Sequence, residues 1–310
     1  MKISGECDKH TFVADVTLTM GALKKSLYSD HAKELVGEIK VIDLGVSRNI
    51  YETESSWQVL DMEDIKLPHR TKKNSHKGSY GHLSVACGEK TGASIMSALS
   101  ALKFGSGLVT LVTPKEQVAP IAPYSLMISH DNPSNATALS CGMGLGNAFS
   151  EEALEHFLDN KLPLIADADI LCMNIILDIV KRKNVIITPH PKEFVTLLNL
   201  TDTANITIKE LQNNRFKYSE DFCMKYPNVT LLLKGANVII GQKDKFFVNP
   251  HGTAVLAKGG SGDVLSGLIG GLLAQGYTPL DAALNASLCH VKLAQNYKGA
   301  DFSLTTDDLI

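Results

Sequence analysis

The chemically richest stretch is "LAKGGSGDVLSGLIGGLLAQG", at residues 256–276. Gly259, Gly260, Ser261 and Gly262 precede Asp263, and Val264, Leu265, Leu268, Ile269, Leu272 and Leu273 then recur at helical spacing. A glycine loop that feeds a helix start aims backbone N–H groups at one point, where the helix dipole is also positive. Phosphate is the natural guest, because glycines let its oxygens approach and allow positive φ. Residues 259–262 are therefore expected to form an anion hole. Asp263 stands at its mouth and has two readings. It is either a base that takes a proton from a hydroxyl as phosphate is transferred to it, or an N-cap bonding to its own helix. The positive helix end should keep it ionised and thus a weak base, useful once the attacked hydroxyl has become acidic. Gly267, Gly270 and Gly271, further along, are expected to allow close helix packing.

Other segments compete for the same chemistry. No G-x-x-x-x-G-K-[ST] loop occurs, and "GEKTG" at 88–92 lacks its spacing and order. "CGMGLGN" at 141–147 lies between a strand and a helix, with Asp167 and Asp169 following. That resembles a dinucleotide fingerprint, but Asn147 fills its third glycine position. "ITPHPKEF" holds His190 between two prolines at a strand end, where open α/β sheets bind ligands; the alternative is a surface turn histidine. "LLLKGANVII" puts Lys234 at another strand end, either to meet a phosphate or as a solvated residue of a tight turn.

The elements that must position these residues alternate. Strands are expected in "HLSVACG", "GLVTLVTP", "TALSCGMGLG", "LPLIADAD", "VIITPHPKEF", "VTLLLKGANVII" and "KFFVNP". Helices are expected in "SIMSALSALKFG", in "SEEALEHFLDN" behind Ser150, and over 263–275 and 279–296. Strands apolar enough to be buried on both faces, alternating with helices, define a three-layer α/β domain with a mostly parallel sheet. Ahead of it, "FVADVTLT" and "IKVIDLGVS" read as strands too few to bury a core alone, followed by a polar linker and entry loop.

Composition narrows the function. The 310 residues are 44% hydrophobic with a formal net charge of −3, enough for a sizeable core and without the basic block of a nucleic-acid binder. No apolar run is long enough for a membrane span, and the N-terminus lacks a signal-peptide centre. Cys7, Cys87, Cys141, Cys172, Cys223 and Cys289 are too scattered for a zinc ribbon or redox pair, as in a cytoplasmic protein with reduced thiols.

"HKGSYGHLSVACG", "TGASIMSALSALKFGSGLVTLVTP", "CGMGLG", "DADIL", "TPHPKEF", "LLLKGANVII" and "LAKGGSGDVLSGLIGGLLAQG" follow one another in the order found in ADP/ATP-dependent NAD(P)H-hydrate dehydratases. The resemblance covers residues 70–310 and implies a ribokinase-like fold. "ADVTLTMGALKKSLYSDHAKELVGEIKVIDLGVS" resembles the tail of the NAD(P)H-hydrate epimerase domain often fused ahead of it. It implies an epimerase remnant over 1–48, either an exposed fragment or packed on the main domain, a linker over 49–69, and no epimerase activity, since that domain's loop and catalytic residues would lie upstream of Met1.

The resemblance also implies the chemistry. ADP or ATP, with Mg²⁺, would phosphorylate the C6 hydroxyl of the S-form of hydrated NADH or NADPH, and loss of phosphate would restore the reduced dinucleotide. Asp263 matches the hydroxyl-activating aspartate and Gly262 the anion hole. Lys234, Gly235, Ala236, Asn237 and Val238 match the stretch holding the AMP part. Ala93, Gly144 and His190 match contacts to the hydrated dinucleotide. Asp167 and Asp169 match an acidic motif that either holds Mg²⁺ through water or fixes a loop; no residue is assigned as a direct metal ligand. A homo-oligomer, commonly a tetramer, is implied, with no membrane or nucleic-acid partner. Two other functions use the same glycine–aspartate loop: a thiazole- or pyrimidine-alcohol kinase, and a non-catalytic nucleotide-binding protein.

Overall fold

Aliphatic and β-branched runs in this chain become strands, and those ending at Ala86, Cys141, Ala166, Ile187 and Asn249 are each followed by a helix that covers one face of the sheet. The computed structural model describes residues 10–117 and 120–310; Cys7 lies outside them. In chain order the elements begin with β1 (Val16–Met20), β2 (Glu38–Ile42), β3 (Trp57–Val59), β4 (His82–Ala86), α1 (Thr91–Lys103), β5 (Leu108–Val112) and β6 (Met127–Ser129). They continue with β7 (Ala138–Cys141), α2 (Glu151–Leu158), β8 (Leu164–Ala166), α3 (Ile176–Ile179), β9 (Val185–Ile187), α4 (Pro191–Leu200), α5 (Ile208–Asn213) and α6 (Arg215–Lys225). The chain finishes with β10 (Val229–Leu233), β11 (Val238–Gln242), β12 (Lys245–Asn249), α7 (Ser261–Ala274), α8 (Pro279–Asn296) and α9 (Thr306–Leu309).

Ten strands form one sheet in the order β3-β12-β11-β10-β9-β8-β7-β4-β5-β6. β11 is antiparallel to both neighbours, and every other pairing is parallel. The expected three-layer α/β fold is thus present. One core lies between the sheet and the α2–α6 side, around Phe194, Phe222, Leu139 and Leu164. The other lies under α1, α7 and α8, around Leu83, Ile165, Val264 and Ile269. Parallel strands need crossovers, so all their carboxyl ends open on one edge of the sheet. Among the described residues no helix is long and apolar enough to cross a membrane.

The described part of the amino-terminal segment is exposed in one portion and packed on the main body in another. β1 and β2 do form, as a parallel pair shifted from the expected limits, and leave Leu18 61% and Met20 60% exposed. Between them, however, Leu27, Tyr28, Ala32 and Val36 pack on Val248, Trp57 and Phe216 of the main body. The stretch 49–69 is also more than a linker, because β3 within it pairs with β12 as the sheet's edge. A three-residue edge strand carries too little alternation to stand out in the sequence.

The glycines inside α7 act as expected. A Cβ at Gly267 would overlap the Ser97 carbonyl of α1, and one at Gly270 would lie 2.9 Å from the Leu83 side chain on β4. Their absence of side chains lets α7 lie close against both α1 and the sheet. Gly267→Ala is expected to destabilise the fold by about 1–3 kcal/mol despite alanine's better helix propensity. Urea denaturation checks this, and an equal or higher midpoint would contradict it.

Candidate active site

Five of the motif segments meet at the carboxyl edge of the sheet. The glycine loop at 142–146 follows β7, Asp167 follows β8, His190 follows β9 and Lys234 follows β10. Helix α7 starts opposite them. It begins at Ser261 behind Gly260, whose φ of 88° is left-handed. Asp263 is therefore the third helical residue, not the N-cap, and its carboxylate has no hydrogen-bond or ion-pair partner among the described residues. The Ser261 N–H donates to the Lys258 carbonyl at 3.3 Å and the Val264 N–H to that of Gly260 at 3.0 Å. The N–H groups of Gly262 and Asp263 between them have no such partner among the described residues, as first-turn amides of a helix do not.

Beneath this helix end lies an ion pair. The Lys234 Nζ donates to Asp167 Oδ1 at 2.7 Å. Asp167 is buried and also accepts from the Ser266 hydroxyl at 2.6 Å and from the Ala168 N–H at 2.8 Å. A Cβ at Gly262 would sit 3.3 Å from the Lys234 Nζ and 4.0 Å from Asp167 Oδ2, which puts the cation directly under the hole. Burial, then the Asp167 charge, push the Asp263 carboxyl up to about 6, against a downward pull from Lys234; Asp169 adds to the rise. The group is therefore still mostly ionised at neutral pH, as expected at a helix start, but it is a stronger base than the helix end alone implies, chiefly because it is buried.

Lys234, Gly235, Ala236 and Val238 line a cavity of about 560 Å³ with Ser261, Gly262, Leu256, Leu265 and Val291. Asn237 does not reach it. Its buried side chain instead donates to the Tyr28 and Ser29 carbonyls at 3.0 and 3.2 Å. Gly259 is exposed and borders open space, whereas Gly260 packs near Met96 of α1. The Ser261 hydroxyl turns inward to His290 Nε2 at 3.1 Å. Burial and the Lys234 charge push that histidine down to about 4, so it is a neutral partner.

The residues expected to meet the dinucleotide divide. Gly144, with a left-handed φ of 62°, lies against α1: a Cβ there would be 3.2 Å from that of Ala93 and closer still to Lys90. Asp169 fixes this loop by accepting from the Gly146 N–H at 3.0 Å. His190 is exposed and is the N-cap of α4, its Nδ1 accepting from the Lys192 and Glu193 N–H groups at 3.1 and 3.2 Å. Its Nε2 lies 3.2 Å from Glu193 Oε1, so both ring nitrogens are occupied and a ligand would meet the ring itself. Glu193 was not singled out from the sequence. Burial raises its carboxyl and Asp167 adds to this, while its bond to the His190 N–H and the Lys234 charge oppose the rise. The H-P-K-E spacing, with an acceptor three residues before a glutamate, is the signal that reveals it.

A mostly parallel sheet with a glycine-led helix facing its carboxyl edge defines a ribokinase-like α/β domain. The family model described as NAD(P)H-hydrate dehydratase matches residues 83–310, and the chain belongs to that family. It is 45% identical over 307 residues to the bifunctional NAD(P)H-hydrate repair enzyme of Helicobacter pylori, covering 99% of this chain and 65% of that protein. It is 31% identical over 245 residues to the ADP-dependent (S)-NAD(P)H-hydrate dehydratase of Bacillus subtilis, covering 74% of this chain and 85% of that one. Among solved structures, the ADP/ATP-dependent NAD(P)H-hydrate dehydratase of Bacillus subtilis co-crystallised with ATP and Mg²⁺ superposes with a TM-score of 0.64. The two are 28% identical over 78% of this chain and 92% of that chain.

The raised Asp263 carboxyl has a consequence for stability. Below pH 3.8, the ordinary value, the group is protonated in folded and unfolded chains and contributes nothing. Between 3.8 and about 6 the unfolded chain ionises while the folded one resists, so stability is lost as pH rises through that window and stays lost above it. Asp263→Asn is expected to raise Tm at mildly alkaline pH, with the gain fading as pH falls from about 6 towards 4. Thermal melts across that range check it, and a gain independent of pH would contradict the assignment.

Proposed function

We propose that this chain dehydrates the S-form of hydrated NADH and NADPH at the expense of ADP or ATP. The observation that carries the reading is the placement of Asp263: an unpartnered, half-buried carboxylate next to two free helix-end N–H groups and above the Lys234 ammonium. Family membership supplies the substrate, and this geometry supplies the roles.

In this reading the nucleoside lies along the apolar wall of the cavity formed by Ala236, Val238, Leu256, Leu265 and Val291. Its phosphates reach Lys234 and the Gly262 end. The hydrated ring lies on the Ala93–Gly144 side, with its C6 hydroxyl facing Asp263. The hydroxyl oxygen attacks the terminal phosphorus, Asp263 takes the hydroxyl proton, and the bond from phosphorus to the bridging oxygen breaks towards the departing nucleotide. The amides of Gly262 and Asp263 and the Lys234 ammonium face the charge that develops on the phosphoryl oxygens. The ring nitrogen's lone pair then expels phosphate from C6, and loss of a proton from the adjacent carbon restores the dihydronicotinamide. A carboxyl that titrates near 6 is largely ionised at neutral pH yet basic enough to accept a proton.

Mg²⁺ does not fit a cage of protein ligands here. No group of three or more His, Cys, Asp or Glu side chains able to hold a metal occurs among the described residues. Asp167, Asp169 and Glu193 are already spent on Lys234, Gly146 and His190. The ion, which reduces phosphate charge when bound, would enter on the nucleotide and its waters. Unpaired cysteines at 87, 141, 172, 223 and 289 and the nature of both substrates support a cytoplasmic setting. The family resemblance supports a homo-oligomer, with a tetramer as the expected form.

Purified chain supplied with hydrated NADH, Mg²⁺ and ADP or ATP should regain the absorbance of the reduced ring and release orthophosphate. A stable phosphate ester instead would indicate an alcohol kinase, and binding without turnover a nucleotide sensor. Asp263→Asn should cut turnover about 10²–10⁴-fold while leaving ADP affinity nearly unchanged. Undiminished turnover would remove the base role.

A further inference from the structure

We propose that the amino-terminal segment 28–36 is a working wall of the nucleotide cavity, with Lys33 a nucleotide-binding residue and Asp30 the residue that positions it. The proposal rests on the cavity's being the nucleotide site and extends that site to residues outside the matched family region, 83–310.

Lys33 and Glu34 line the same cavity as Lys234, Gly235, Ser261 and Gly262. Lys33 is half-buried and its ammonium donates to the Pro250 carbonyl, so the side chain is held along the cavity rim instead of waving in solvent. Desolvation pulls its pKa down while Asp30 and Glu34 pull it back, as for a cation kept in a partly closed site. The same cavity is also lined by the apolar residues Ala236, Val238, Leu265 and Val291. A flat purine base set against those residues would share the cavity with the aliphatic stem of Lys33. The ammonium then offers a donor to a ring nitrogen or ribose oxygen.

A linked set of polar contacts holds the wall in place. Asp30 pairs with the guanidinium of Arg215, which is 3% exposed on its side chain. The Asn237 N–H donates to Asp30 Oδ1 at 3.0 Å. The Asn237 side-chain amide grips the Tyr28 and Ser29 carbonyls. Arg215 also donates to the carbonyls of Leu233 and Lys234, at 3.3 and 3.0 Å. One buried guanidinium therefore ties the wall to the backbone that carries the phosphate-facing lysine. Gly235 leaves the space for this, since a Cβ there would crowd both Arg215 and Asp30. A buried ion pair broken on one side leaves an unpaired charge, so Asp30 has a large influence on where the wall sits.

The test is ADP titration by calorimetry into the full chain, with melts to confirm folding. Lys33→Met and Asp30→Asn should each weaken ADP binding about tenfold, Asp30→Glu should recover part of the loss, and the KM for hydrated NADH should not change. Lys25→Met, on the same segment but facing Glu220 and Trp57, should bind ADP like the parent. Saturating ADP should slow amide exchange across residues 28–36, and hydrated NADH alone should not. Folded Lys33→Met chain with parental ADP affinity, together with no slowing of exchange, overturns the wall. Parental chain that binds neither ADP nor ATP overturns the nucleotide site itself.

Discussion

One ammonium group, that of Lys234, organises this site. It neutralises Asp167, a carboxylate buried at the end of β8 that would otherwise be prohibitively expensive to keep ionised. Through Asp167 it reaches Ser266, one turn into α7, and so docks the helix start over the strand ends. It lies beneath Gly262, where an incoming phosphate would meet it. The same pair sets the electrostatics of Asp263, because Asp167 raises its proton affinity and Lys234 restrains the rise.

The glycines of α7 serve this arrangement mechanically. Residues 267, 270 and 271 let the helix approach α1 and β4 closely enough for its first turn to stand level with Asp167 and Lys234. Gly260 turns the chain through a left-handed conformation into the helix, and Gly262 keeps the space above the lysine open. Glycine in a helix weakens it locally, and burial of almost the whole of α7 offsets that weakness.

Much of this was legible in the sequence. Long apolar strand signals located most of the parallel strands, and the motifs at their ends located Asp167, Lys234, His190 and the 142–146 loop. What escaped was set by contacts between distant parts of the chain. No local pattern shows that Asp30 meets Arg215, so residues 28–36 could not be placed against the cavity. Asn237 belongs to the nucleotide stretch by family resemblance, which does not say which way each side chain turns. Its side chain instead turns to the amino-terminal carbonyls. The raised proton affinity of Asp263 is hidden for a related reason: the helix end is visible locally, whereas burial and the charges of Asp167 and Asp169 come only with the folded structure. Glu193 is different, since its H-P-K-E capping pattern is local and visible in the sequence.

The central claim is that Asp167 and burial together tune Asp263 for proton transfer. The most direct test is the pH dependence of turnover at saturating hydrated NADH and nucleotide, for the parent and for Asp167→Asn. The account predicts a parent rate that falls on acidification with an apparent pKa near 6, and a limb displaced to lower pH in the variant. A parent rate flat through that range, or a limb that stays in place when the Asp167 charge is removed, would contradict it.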